Sequence, residues 1–234
     1  MSENDDTTGI EGILDGASEM MTDRRKFMSG AAKLGVGGAL ASFATGGAAA
    51  QEGDGEEVAD VDILNFALTL EELEATYYEE ALEEFDELRD FERPGTVGGE
   101  AFEAPPLQYG TYGYLERIRD HERAHADALR NTINDLGGEP VEGLEFQFPY
   151  ETPEEFVKVG VTLENTGVSA YAGAAPLIQN TEVAKAALAI HSVEARHAAY
   201  LGVLDQRLPY PNGAFDPART MEEVVSIASQ FIVE

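Results

Sequence analysis

The 234-residue chain contains no cysteine and no tryptophan. Without cysteine there is no disulfide framework, no thiolate metal site, no thiol nucleophile and no lipid-bearing cysteine after a signal segment. Any bound metal has to be held by carboxylate and imidazole, which suits iron, manganese or zinc rather than copper(I) or iron–sulfur clusters. Lysine is scarce: only Lys26, Lys33, Lys158 and Lys185. With 15 basic against 45 acidic residues the net charge is -30. Phosphate backbones are neutralised by basic side chains, so this balance excludes nucleic acid as a partner. Long apolar runs are also lacking. The most apolar stretch, from about Ala31 to Gly47, is too short and too rich in glycine to span a bilayer, so the mature chain is expected to have no stable membrane span.

What is present begins with acid. Asp and Glu are spread along the whole chain between apolar positions, which argues against a disordered acidic tail. Such charge repels itself unless salt screens it, so a halophilic source is expected. Hydrophobic residues make up 43% of the chain, enough for a sizeable core. Near the N-terminus, "TDRRKFM" at 22–28 is followed by the small-residue stretch and then by "AAAQ" at 48–51. A positive region, an apolar region and a small-residue cleavage site make up a secretion signal, and Arg24 and Arg25 ahead of Phe27 place it in the twin-arginine class. Residues 1–50 are therefore expected to be an export segment, which sends the protein to the outside or surface of the cell. Cleavage after Ala50 removes seven acids and four bases, leaving 38 acids, 11 bases and a net charge of -27.

Residues 51–58 are expected to be a linker, residues 59–207 a helical bundle, and residues 208–234 an extension with a short helix over Met221 to Phe231. The bundle reading rests on four segments of helical periodicity, at about Asp60–Leu88, Tyr109–Leu136, Thr152–Gln179 and Thr181–Gln206. Pro153 with Glu154 and Glu155 marks a helix start, and Gly137–Gly138 marks a stop. The second connection, about 16 residues, is long enough to travel the length of a bundle, whereas the third is nearly immediate. The fold class is all-α, a four-helix bundle with a long crossover between its second and third helices.

Each segment has an inward stripe, and carboxylates and imidazoles interrupt those stripes near mid-helix. Glu122 and His125 do so in the second segment, Glu164 in the third, and Glu194 and His197 in the fourth. In the first, Glu74 falls on the stripe and Glu71 on its shoulder. A carboxylate in a core costs several kcal/mol unless a cation compensates it, and the stripes carry no Lys or Arg. "ERAH" at 122–125 and "EARH" at 194–197 each put Glu and His on one face, three residues apart, ready to grip a common metal. A Tyr follows the remaining glutamates by seven residues, pairing Glu71 with Tyr78 and Glu164 with Tyr171. All four histidines lie within "DHERAH" and "HSVEARH". On this reading His121 points away from the site, and His191 sits one turn before Glu194.

The order Glu, Glu-x-x-His, Glu, Glu-x-x-His resembles the ferritin-like superfamily of di-metal carboxylate proteins. "DILNFALTLEELEATYYEEAL" at 62–82, "DHERAHADAL" at 120–129 and "HSVEARHAAYL" at 191–201 are similar to the exported ferritin-like domain family that includes desiccation-related proteins. The resemblance implies two divalent metal ions, iron or manganese, with zinc also compatible. It implies Glu71 and Glu164 as terminal ligands, Glu122 and Glu194 as bridges, and His125 and His197 as one ligand each. Tyr78 and Tyr171 would support the site or take part in redox chemistry, and Glu74 is an alternative or additional ligand. The function implied is redox chemistry with O2 or H2O2, ferroxidase-like or catalase-like, in oxidative-stress protection. A metal-binding or desiccation-protective protein without turnover is the alternative. A homo-oligomer is compatible with the sequence.

Overall fold

A computed structural model describes residues 59–85 and 110–233. The expected export segment, the linker and most of the first connection lie outside these residues. The described chain forms helices α1 (Asp60–Glu84), α2 (Thr111–Asp135), α3 (Pro153–Ala174), α4 (Thr181–Leu204) and α5 (Met221–Ala228). No strand occurs among them, only an isolated antiparallel bridge between Phe146 and Ile232.

Local chemistry sets the helix ends. Thr152 caps α3 by accepting from the Glu155 amide at 3.2 Å, with Pro153 at the first helical position. At the other end α3 stops at Ala174 and tightens into a 3₁₀ turn over Ala175–Leu177, five residues short of the expected Gln179. Pro176 has no amide proton to continue the ladder. The helix stops rather than kinks. Helix α2 closes on Gly137, at φ +80°, and the Gly138 amide bonds back to the Ile133 carbonyl at 2.9 Å. Only glycine takes that left-handed turn without strain. Asn180 caps α4 by accepting from the amides of Glu182 and Val183. A capping box between Thr220 and Glu223 starts α5.

Neighbouring helices run antiparallel. Across α1 and α2, Arg123 pairs with Glu72 and Glu79, and Arg130 pairs with Glu72. Across α3 and α4 the contact is apolar and close: a side chain at Gly160 would collide with Leu201. Tyr77 and Phe156 stack at 4.8 Å and join α1 to α3, and the Tyr114 and Tyr200 rings at 5.5 Å join α2 to α4.

The crossover between α2 and α3 runs the length of α1. It starts with Gly138 against Val61. It continues with the Val141 amide donating to Asn65 Oδ1 at 2.8 Å, and ends with Tyr150 5.6 Å from Tyr77 and 5.5 Å from Phe85. The C-terminal segment clasps this crossover through Gln147 N to Phe231 O at 2.8 Å and Val233 N to Glu145 O at 2.9 Å. Helix α1 is thereby covered on three sides, by α2, α3 and the crossover. Burial accordingly extends over Leu64, Leu68, Glu71, Leu73, Ala75 and Tyr78, well beyond the expected single stripe. None of the described helices is long and apolar enough to cross a membrane.

Candidate metal centre

Near the middle of the bundle the apolar core is interrupted. Glu122, Glu164 and Glu194 have no solvent exposure, and Glu71 and Glu74 are 1% and 3% exposed. Two histidines enter this cluster, one from each Glu-x-x-His segment. His125 Nδ1 lies 3.3 Å from Glu71, 3.1 Å from Glu122 and 3.0 Å from Glu194. His197 Nδ1 lies 2.6 Å from Glu122 and 3.5 Å from Glu164. The donor atoms fall into two groups, each within 4.8 Å: Glu71, Glu122, His125 and Glu194, and Glu122, Glu164, Glu194 and His197. Glu122 and Glu194 belong to both.

The tyrosines complete the arrangement with exchanged partners. The sequence pairs each Tyr with the Glu of its own helix. In the structure Tyr78 of α1 donates to Glu164 of α3, and Tyr171 of α3 donates to Glu71 of α1 at 2.5 Å. Antiparallel packing is the reason: residues two turns apart on one helix face one another's partners on the next. His121 also departs from expectation. It faces α4, with Nδ1 3.0 Å from His197 Nε2 and the two rings stacked at 5.2 Å. His191 keeps Nε2 buried without a hydrogen-bond partner.

The fit to a metal can be tested on the orphaned atoms. Glu71 Oε2, Glu122 Oε1, Glu164 Oε2, both oxygens of Glu194 and His197 Nδ1 are buried without a hydrogen bond of proper geometry. A single imidazole proton serves one acceptor, yet three carboxylates converge on His125 Nδ1. Lone pairs aimed at shared points, unpaired with one another, suit cations. In the metal-free chain protons do this work poorly. Burial pushes Glu71 up to about 7, with the nearby charge of Glu122 acting the same way. Glu194 and Glu74 rise well above the usual carboxylate range, through burial first and neighbouring carboxylates second. Burial alone would lower His125, but the carboxylates of Glu122, Glu194 and Glu71 converging on its Nδ1 raise it to about 12. The same contest takes His197 to about 11, through Glu122 and Glu164. Glu122 falls to about 2 despite its burial, because both histidines hold it as a carboxylate. The residues present therefore fit carboxylate-and-imidazole metal binding.

The ferritin-like domain family matches residues 59–206. The chain belongs to this family. No curated protein matches the chain. Within the ferritin-like domain, the buried Glu/His cluster is a candidate metal centre contributed by all four long helices. Glu74, on the same face of α1, belongs to the cluster by burial and electrostatics but to neither four-residue donor group.

Proposed function

We propose that this chain is a di-metal carboxylate protein with a redox function, holding two divalent ions of iron or manganese and reacting with O2 or H2O2. The observation that carries the reading is the pair of buried donor groups sharing Glu122 and Glu194. Glu71 and His125 would hold one ion, Glu164 and His197 the other, with Glu122 and Glu194 between them. Such a pair supplies two reducing equivalents at one place, one from each ion. The chain's own residues do the rest. The bundle keeps bulk water from the carboxylates. Tyr171 and Tyr78 each donate a hydrogen bond that orients a terminal carboxylate, and His121 sits where it can fix the ring of His197. The phenols, held against the ligands, are also placed to deliver a proton or an electron.

We further propose that residues 1–50 direct export by the twin-arginine route to the cell exterior or surface, and that the acid excess suits a halophilic host. The enzymatic reading is tested by loading the purified chain with iron(II) or manganese(II) and measuring turnover with O2 and with H2O2. Turnover in either assay is expected. A chain holding two metals and turning over neither oxidant would be a metal-binding or stress-protective protein without catalysis.

A further inference from the structure

Between the N-terminal half of α1, the C-terminal end of α3 and the start of α4 lies a cavity of about 20 Å³. Leu70 and Ala67 of α1, Ala170, Tyr171 and Ala174 of α3 and Ala187 of α4 are among its walls, and almost all of its surface is carbon. Of the lining residues only Ala67 and Ile178 keep partial exposure, so they form the outer rim. Tyr171 closes the inner end. It carries the only hydroxyl among the lining residues, and that hydroxyl is committed to Glu71 at 2.5 Å. Glu71 belongs to the donor group of His125. The cavity therefore leads from the rim of the bundle to within one side chain of the candidate metal centre.

Resting on the redox reading above, we propose that this cavity is the place where dioxygen waits beside the metal centre, and that this entrance passes O2 and rejects H2O2. Size and polarity give the reason. The space holds one molecule about as large as water, which leaves out organic substrates. Water itself would need roughly two to four hydrogen bonds to stay, and these walls offer none that is free. H2O2 meets the same obstacle, because burying its hydroxyls unpaired costs free energy. O2 is apolar and has no hydrogen bonds to lose. Cores are packed with few voids, and an unfilled one weakens the fold. Here alanines from three helices, Ala67, Ala170, Ala174 and Ala187, keep the space open beside the one tyrosine that touches Glu71.

Xenon, an apolar atom that enters small dry cavities, reports the site without any chemistry. Crystals of the full chain under xenon pressure should show xenon against Ala174 and Ala187, with or without metal. Stopped-flow oxidation of the iron(II)-loaded chain at varied oxygen then reports its use. In that reaction two iron(II) ions give one electron each to O2, which takes two protons from water and leaves as H2O2. Ala174→Val and Ala187→Val fill the cavity from α3 and from α4. Both should lose the xenon and raise the oxygen concentration for half-maximal rate at least about fivefold, with the limiting rate and the rate with added H2O2 unchanged. Ala186→Val, on the exposed face of α4, should change neither reading. If one filled variant does not fold, the other decides. No xenon in the wild-type cavity, or filled variants with wild-type oxygen dependence, would overturn the proposal and leave the redox reading standing. So would equal slowing with both oxidants, which marks a disturbed centre, or iron(II) that reacts with H2O2 alone. Xenon bound in a chain whose iron(II) reacts with neither oxidant would sink the redox reading, and the proposal with it.

Discussion

The two halves of the bundle solve one problem with different surroundings. Helices α1 and α2 bring Glu71, Glu122 and His125 together, and α3 and α4 bring Glu164, Glu194 and His197 together. The tyrosines tie the halves crosswise, Tyr78 to Glu164 and Tyr171 to Glu71. Outside the cluster the likeness ends. Arginine pairs stitch α1 to α2, whereas α3 and α4 approach through Gly160 and Leu201. His197 has His121 behind it, and among the described residues His125 has no equivalent. Glu74 faces Gly167. A near-symmetric donor set thus sits in an asymmetric frame, and the two halves are not expected to behave alike.

The largest expected effect breaks the symmetry argument at its shared members. Glu122→Ala or Glu194→Ala should remove metal from both halves, whereas Glu71→Ala or Glu164→Ala should remove it from one, read by metal content per chain. In the metal-free chain the same Glu194→Ala change should leave thermal stability equal or higher, because an unpaired buried carboxylate goes.

Next comes pH. A carboxyl raised in the fold, such as Glu71 at about 7, contributes stability that is full below its unfolded value near 4.5 and lost as pH climbs through 7. His125 and His197, raised to about 12 and about 11, contribute stability that is full below about 6.5 and lost on further rise. Glu122, depressed to about 2, acts oppositely, but only as pH falls below about 4.5. The metal-free chain should therefore melt at lower temperature at pH 8 than at pH 5, and added metal should reduce or reverse the trend. Thermal melts with and without manganese(II) check this.

Much of this arrangement is legible in the sequence. Pro153 and its acids, and Gly137–Gly138, mark ends that the structure places within a residue or so. The duplicated Glu-x-x-His spacing puts four residues on inward faces. Helix α1 is where legibility falls. Its crossover cover buries most of its circumference, so period alone does not separate Glu71 from Glu74. The exchanged tyrosine partners depend on antiparallel register, which no single-helix spacing reveals. His121 looks outward on α2 but meets α4, because α2 packs against two neighbours.

Smaller effects sharpen the comparison further. Tyr78→Phe and Tyr171→Phe each leave a buried carboxylate without its hydroxyl donor and should cost about 1.5–3 kcal/mol each, nearly equally, in chemical denaturation. His121→Ala should weaken the weaker of two stepwise metal affinities about tenfold and leave the other unchanged, measured by calorimetric titration. Smallest is Arg123→Gln, which loosens only the α1–α2 seam and should cost under about 1 kcal/mol.

The role proposed for the buried carboxylates and imidazoles is to hold two metal ions. Elemental analysis of the protein purified from its native host, beside a Glu122→Ala chain handled identically, tests it most directly. About two ions of iron or manganese per wild-type chain are expected, and almost none in the variant. Fewer than about one ion per two wild-type chains, or equal metal in both proteins, would contradict it.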